Sequence, residues 1–200
     1  SPNQDPTTVG RKLCTTDVSP STTIVTCQGG VSSPPHTSLL PISANANGVS
    51  TSSVKNPMRF SPPWSYSTAT NNADVAWKSL LSGLRGAGGK EVETMTGVGD
   101  DGDSGKGKTI QCFLLTLISR ALINSFLSRY THFTFETAFP PSGYDDVEFI
   151  LRPNDEIVLY KSESRNSVFV YPIVQQLSDK GTNKKRLEEI RLKLNWATLS

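Results

Sequence analysis

The sequence predicts an α+β fold: a small antiparallel β-sheet with helices packed on one face, preceded by a long irregular N-terminal arm. Three observations carry this expectation. The first 70 residues hold 9 of the 13 prolines, 24 Ser or Thr and only six of the 38 charges, a composition too poor in apolar side chains to fold alone. Two later stretches carry apolar residues at helical spacing, and between them the period changes to two. The arm is therefore placed at 1–70 and the compact domain at 71–200, with a flexible Gly-rich insertion at about 86–108.

Within the arm, Thr22-Thr23-Ile24-Val25 and Leu39-Leu40-Pro41-Ile42 are short apolar islands suited to lie extended over a partner surface. Three cysteines, Cys14, Cys27 and Cys112, are too few for a paired-cysteine zinc site. The sequence leaves open whether Cys14 and Cys27 form a disulfide. A bridge between them would imply an oxidising compartment and leave Cys112 a buried thiol. The chain begins at Ser1 without a charged-then-apolar leader and reads as a mature or trimmed protein.

A helix is expected from about 73 to 85, started at Asn71-Asn72-Ala73-Asp74 and apolar at Val75, Trp77, Leu80, Leu81 and Leu84. Gly83 to Gly107 then holds nine of the 15 glycines and the acidic run Asp100-Asp101-Gly102-Asp103. The apolar stretch Cys112–Leu127 segregates into one apolar side as a helix. It is interrupted by Thr116, Ser119, Arg120 and Asn124 and falls short of the roughly 20 residues that span a bilayer, so no transmembrane segment is expected. Alternation at Phe133, Phe135, Thr137 and Phe139 predicts a strand. Val147, Phe149 and Leu151 lead through a turn at Pro153-Asn154-Asp155 to Ile157–Tyr160, a hairpin; Val168–Tyr171 adds a strand, and a helix closes the chain from about Thr182 to Trp196.

Lys plus Arg total 20 against 18 Asp plus Glu, so no broad field favours nucleic acid, and Glu188 and Glu189 offset much of the Lys184-Lys185-Arg186 run. Gly102-Asp103-Ser104-Gly105-Lys106-Gly107-Lys108-Thr109 matches the phosphate-cradling pattern, but no buried strand leads into it and three aspartates sit where phosphates would bind. It reads as a glycine-rich loop, not a nucleotide site. His36 and His132 are the only histidines, which argues against a histidine relay or zinc site. Asp145-Asp146-Val147-Glu148 turns only Asp146 and Glu148 to one face, too few carboxylates for an ion; pairing of Asp146 or Glu148 with Arg165, Lys161 or Arg186 is the expectation. No catalytic residue, metal ligand or cofactor is assigned.

Residues 47–196 contain Asn47-Gly48-Val49-Ser50-Thr51-Ser52-Ser53, Pro62-Pro63-Trp64, Tyr144-Asp145-Asp146-Val147-Glu148-Phe149, Ser162-Glu163-Ser164-Arg165 and Asn183-Lys184-Lys185-Arg186-Leu187 with Ile190-Arg191. In this order they resemble the uncharacterised family called domain of unknown function 1499. Gly48 stands where that family usually has Cys, and Lys161 and Glu163 where it has Arg and Ala. The long link from Arg165 to Asn183 resembles the algal, chloroplast branch. The resemblance brings no enzymatic activity. It implies a thylakoid-lumen protein, membrane-associated through a photosystem core or antenna partner.

The shared residues make a structural polar network: Asp146 or Glu148 holds Arg165 across the sheet, and Asp179, Asn183 and Arg186 tie the last helix to it. The expected function is a non-enzymatic accessory subunit or assembly helper of a larger complex, docked through the N-terminal arm. The alternative is a small-ligand (lipid or pigment) carrier or an enzyme with a pocket between sheet and helices, suggested by Phe133, Phe135, Phe139, Phe149, Tyr160 and Phe169.

Overall fold

A computed structural model describes residues 13–28, 30–32, 36, 38–44, 46–98, 127–171 and 175–199. Its strands are β1 (Leu13–Val18), β2 (Thr22–Gln28), β3 (Gly48–Ser50), β4 (Trp64–Ser65), β5 (Lys90–Val98), β6 (Ser128–Glu136), β7 (Tyr144–Arg152), β8 (Ile157–Ser164), β9 (Asn166–Val170), β10 (Gln175–Gln176) and β11 (Ala197–Thr198). The two helices among these residues are α1 (Ala73–Gly86) and α2 (Thr182–Leu194). Seven strands form an antiparallel sheet in the order β11-β4-β8-β7-β6-β5, with β3 also paired to β8. A second sheet of four runs β1-β2-β9-β10.

The central hairpins follow from the period of two. β7 and β8 are joined at Pro153–Glu156, where Glu156 N donates to Pro153 O and Glu156 adopts φ 55. Every second residue of β6, β7 and β8 then faces the helices: Phe133 and Phe135, Val147, Phe149 and Leu151, Val158 and Tyr160. α1 starts where Asn72 Oδ1 accepts from the backbone amides of Asp74 and Val75, which satisfies two otherwise orphaned donors. Its buried face is Ala73, Ala76, Trp77, Leu80 and Leu84, the spacing of one helical stripe.

Aromatic rings fill the space beneath the helices. Trp64 lies 4.4 Å from Tyr160, 5.7 Å from Phe149 and 6.2 Å from Trp196 between ring centroids. Full burial of each such ring contributes on the order of 1.5–3 kcal/mol before packing geometry is counted.

The sheet is larger than expected and the protein is mostly β, because the stretch expected as irregular arm supplies strands and because Lys90–Val98, within the insertion expected to be flexible at about 86–108, forms β5 against β6. Leu13–Gln28 is a hairpin, β1 against β2, and β2 also pairs β9 from Thr22↔Val170 to Thr26↔Asn166. Thr-rich β-branched sequence favours this extended pairing once β9 offers a ladder. β3 and β4 share one edge of β8 in tandem. At β3 the chain comes so close that a Cβ on Gly48, at φ +154, would lie 2.2 Å from Ser162 O. Only glycine fits that approach.

The second apolar island of the arm lies on the chain's own sheet: Leu39 and Ile42 are buried, and Leu39 packs with Tyr130 and Ile150 on the face opposite the helices. The Gly102–Thr109 motif and the Cys112–Leu127 apolar stretch lie outside the described residues, apart from the bend at Leu127. No helix among the described residues is long and apolar enough to cross a membrane.

Candidate functional site

Alternation in β7 separates Asp145 from Asp146 and Glu148, so the six residues expected to form one network are divided between the two faces of the sheet. Asn183, Asp179 and Arg186 lie on the helix side, where they meet Asp145. Asp146 and Arg165 pair on the outer side, where Glu148 lies with partners of its own.

On the helix side, Arg186 Nη2 donates to Asp145 Oδ2 at 2.8 Å and its guanidinium lies 4.6 Å from the Phe135 ring centroid. Ser164 Oγ donates to Asp145 Oδ1 at 2.6 Å. Asn183 is buried; its amide donates to Ser164 Oγ at 3.0 Å and Asp179 Oδ2 at 2.9 Å, and its oxygen accepts from Ser162 Oγ. The α2 N-cap is Gly181, which has no side chain to cap with. Asp179 takes over that task, accepting from the amides of Gly181 and Asn183. The expected partner of Arg186 is Asp146 or Glu148; the pleat gives it Asp145 instead.

On the outer side, Arg165 donates from Nε and Nη2 to the two oxygens of Asp146, both at 2.7 Å, while His132 Nε2 lies 2.8 Å from Asp146 Oδ1. Burial alone would raise the Asp146 carboxyl, but the hydrogen bonds with His132 and Arg165 overcome it and hold its pKa at about 2. Glu148, fully buried, accepts from Tyr130 Oη at 2.9 Å and from the Ser32 amide at 2.7 Å, and Lys161 Nζ lies 3.4 Å from its other oxygen. The same ammonium lies 2.9 Å from Glu163 and donates to Gly30 O at 2.6 Å. Burial pulls the Lys161 ammonium down, yet the Glu163 and Glu148 carboxylates outweigh it and hold its pKa above the usual range.

Backbone from the expected arm covers this charged face. Gly30 O, Ser32 N and Ser43 N bond Lys161, Glu148 and Glu163 respectively. The His36 ring stacks on Tyr130 at 3.9 Å and 10°. Neither His36 ring nitrogen nor Ser32 Oγ has a hydrogen-bond partner among the described residues. Burial lowers the His36 pKa against the raising pull of Glu93 and Glu148. Sequence reasoning paired Glu148 with Lys161 among its alternatives but gave no role to Tyr130 or Glu163, and it used His132 and His36 only to argue against a relay. The signal was present in β6, where Tyr130 and His132 alternate in phase with Asp146 and Glu148 through the pairings Tyr130↔Ile150 and His132↔Glu148.

A second feature is the edge of the smaller sheet. All six residues of β1 are exposed; because successive side chains point to opposite faces, neither face of β1 is covered by the described residues. β1 is also the terminal strand, so its outer edge has no ladder partner among them. A Cys14–Cys27 disulfide joins it to β2.

Among the described residues no group of His, Cys, Asp and Glu is placed to hold a metal ion. The interface between sheet and helices is filled by the aromatic core, and the aromatic residue Phe139 lies largely exposed outside it. A cavity of about 40 Å³ lies beside Asn166 and Val168, and an open groove of about 470 Å³ runs between the C-terminal end of α1 and α2, past Lys185, Arg186, Glu189 and Lys193.

The model of the family described as protein of unknown function (DUF1499) matches residues 38–194. No curated protein and no solved structure gives a significant match to the chain.

Proposed function

The chain belongs to the DUF1499 family of proteins of unknown function, and we propose that it is a non-enzymatic accessory subunit or assembly helper that docks on a larger complex through its N-terminal hairpin. The observation that carries this reading is β1, a strand exposed on both faces and unpaired on one edge among the described residues. Its amides and carbonyls are a template for an incoming strand, and its single charge, Asp17, is a weak defence against such pairing. The seven-stranded sheet, with its aromatic core, is the rigid body that presents it.

The docking element is narrower than the 70-residue arm. Leu39 and Ile42 bury their side chains against the rest of the fold, and Gly30, Ser32 and Ser43 give backbone bonds to the chain's own sheet, which leaves β1 and β2 for a partner. The two polar clusters support a scaffold role: each joins elements distant in sequence, and buried networks of this kind fix register more than they add stability.

The finer reading is a membrane protein complex as partner, a photosystem core or antenna on the lumenal side of the chloroplast thylakoid. It rests on the resemblance of the Arg165–Asn183 link to algal members of the family. The test is a blue-native gel of gently solubilised membranes from the source organism, with mass spectrometry of the band that contains this protein. Co-migration with a photosystem is the expected result. Migration near 21.7 kDa as free protein contradicts stable membership.

A further inference from the structure

Cys14 and Cys27 occupy directly opposed positions of β1 and β2 and are joined by a disulfide. Cys14 is exposed and Cys27 half-buried, and neither belongs to the hydrophobic core. The ladder to β2 is the only strand pairing of β1 among the described residues, whereas β2 is held on its other side by β9. Exposed side chains and a single ladder are the marks of a segment that opens at low cost while the rest of the fold stays closed.

We infer that the Cys14–Cys27 disulfide is a thiol–disulfide exchange site for a dithiol reductant, reduced in the folded protein, and that its reduction frees β1 without unfolding the seven-stranded sheet. A thiolate of the reductant attacks Sγ of Cys14, the more exposed of the two residues. The Cys14–Cys27 bond breaks, and its electron pair leaves on Cys27 Sγ, which takes up a proton. The reductant's second thiol, as thiolate, attacks the reductant's own sulfur in the mixed disulfide and expels the Cys14 thiolate, which is protonated in turn. Two electrons and two protons pass to the protein, and the reductant ends as a disulfide.

The site acts on the hairpin and on nothing in the core. With the crosslink gone, β1 keeps only its ladder with β2, and its chain entropy is released. Where the hairpin docks the protein on a partner, which is the reading proposed above, reduction withdraws the docking strand.

The test uses the full chain with dithiothreitol as the probe. Free thiols are counted over time by maleimide labelling and intact mass, under native conditions and in guanidinium. The native rate is expected to lie within about a hundredfold of the unfolded rate, because access does not limit attack. Hydrogen exchange is expected to accelerate at Leu13–Val18 and to stay unchanged across Tyr144–Ser164. A lag of more than about a hundredfold, or exchange that rises in the core together with reduction, overturns the inference. Thiol count and exchange read the disulfide without any partner, so failure of the docking reading leaves them intact, and the reverse also holds.

Discussion

Arg165 grips Asp146 with two parallel hydrogen bonds, from Nε to Oδ2 and from Nη2 to Oδ1, each 2.7 Å long. The Asp146 side chain is 8% exposed, so the bond pair replaces most of its water. Arg165 sits where β8 passes into β9, between the two sheets. Arg165→Ala leaves a buried carboxylate with His132 alone and is expected to cost about 3 kcal/mol, seen in thermal unfolding as a fall of roughly 6–12 °C. A Tm unchanged within a degree would show that the pair is dispensable. Partner binding below the transition is expected to persist, because Arg165 lies outside β1.

The same carboxylate makes stability depend on acid. Its pKa is lowered from 3.8 to about 2, so its contribution is complete above the unfolded value of 3.8 and is lost as pH falls through about 2. The shift corresponds to about 2 kcal/mol. Chemical denaturation between pH 5 and 2 is expected to show this loss, and Asp146→Asn is expected to flatten the slope; equal slopes in both proteins would contradict the assignment.

His36 gives a second acid response with a different mechanism. Its ring is buried, faces Glu93, Glu148 and His132, and has a lowered pKa. The neutral form is therefore favoured when the segment lies on the sheet. That contribution is present above the unfolded value of 6.5 and is lost as pH falls below it toward the lower folded value. The protection factor of the Ser32 amide, which bonds Glu148, is expected to fall between pH 7 and 5. His36→Phe keeps a ring on Tyr130 and removes the titration, so its protection is expected to stay level. A parallel fall in that variant would assign the response elsewhere.

Two glycines respond in opposite directions to the same substitution. A Cβ on Gly48 meets Ser162 O at 2.2 Å, whereas on Gly86, in the last turn of α1, it meets nothing within 4 Å. Gly48→Ala is expected to cost about 3 kcal/mol, through a positive φ and a displaced strand. Gly86→Ala is expected to be neutral or stabilising by up to about 1 kcal/mol. Denaturant midpoints of the two variants measure the contrast.

The domain was legible where local chemistry decides structure. Asn72 announces α1, the alternation of β6 and β7 announces the sheet, and Pro153-Asn154-Asp155 announces the turn. The strands β1 to β4 are hidden in the composition of the first 70 residues, because composition measures the ability to fold alone. Thr22–Gln28 does not fold alone: it borrows a ladder from β9, more than 130 residues on. Long-range pairing of this kind leaves no local periodicity. The polar network was legible by residue type but not by face, since the partner of Arg186 depends on which of two adjacent aspartates the pleat turns toward α2. Lys161 and Glu163 bond Gly30 O and Ser43 N, backbone groups more than 100 residues away that no local pattern announces.

Docking through β1 places its side chains against the partner. The direct measurement places a photo-crosslinking residue at Thr15, exposed on β1, and in a second protein at Lys193, exposed on α2, each expressed in the source organism and irradiated before solubilisation. A crosslinked band that contains a subunit of the host complex is expected from position 15, and none from position 193. A crosslink from position 193 with none from position 15 would contradict docking through β1.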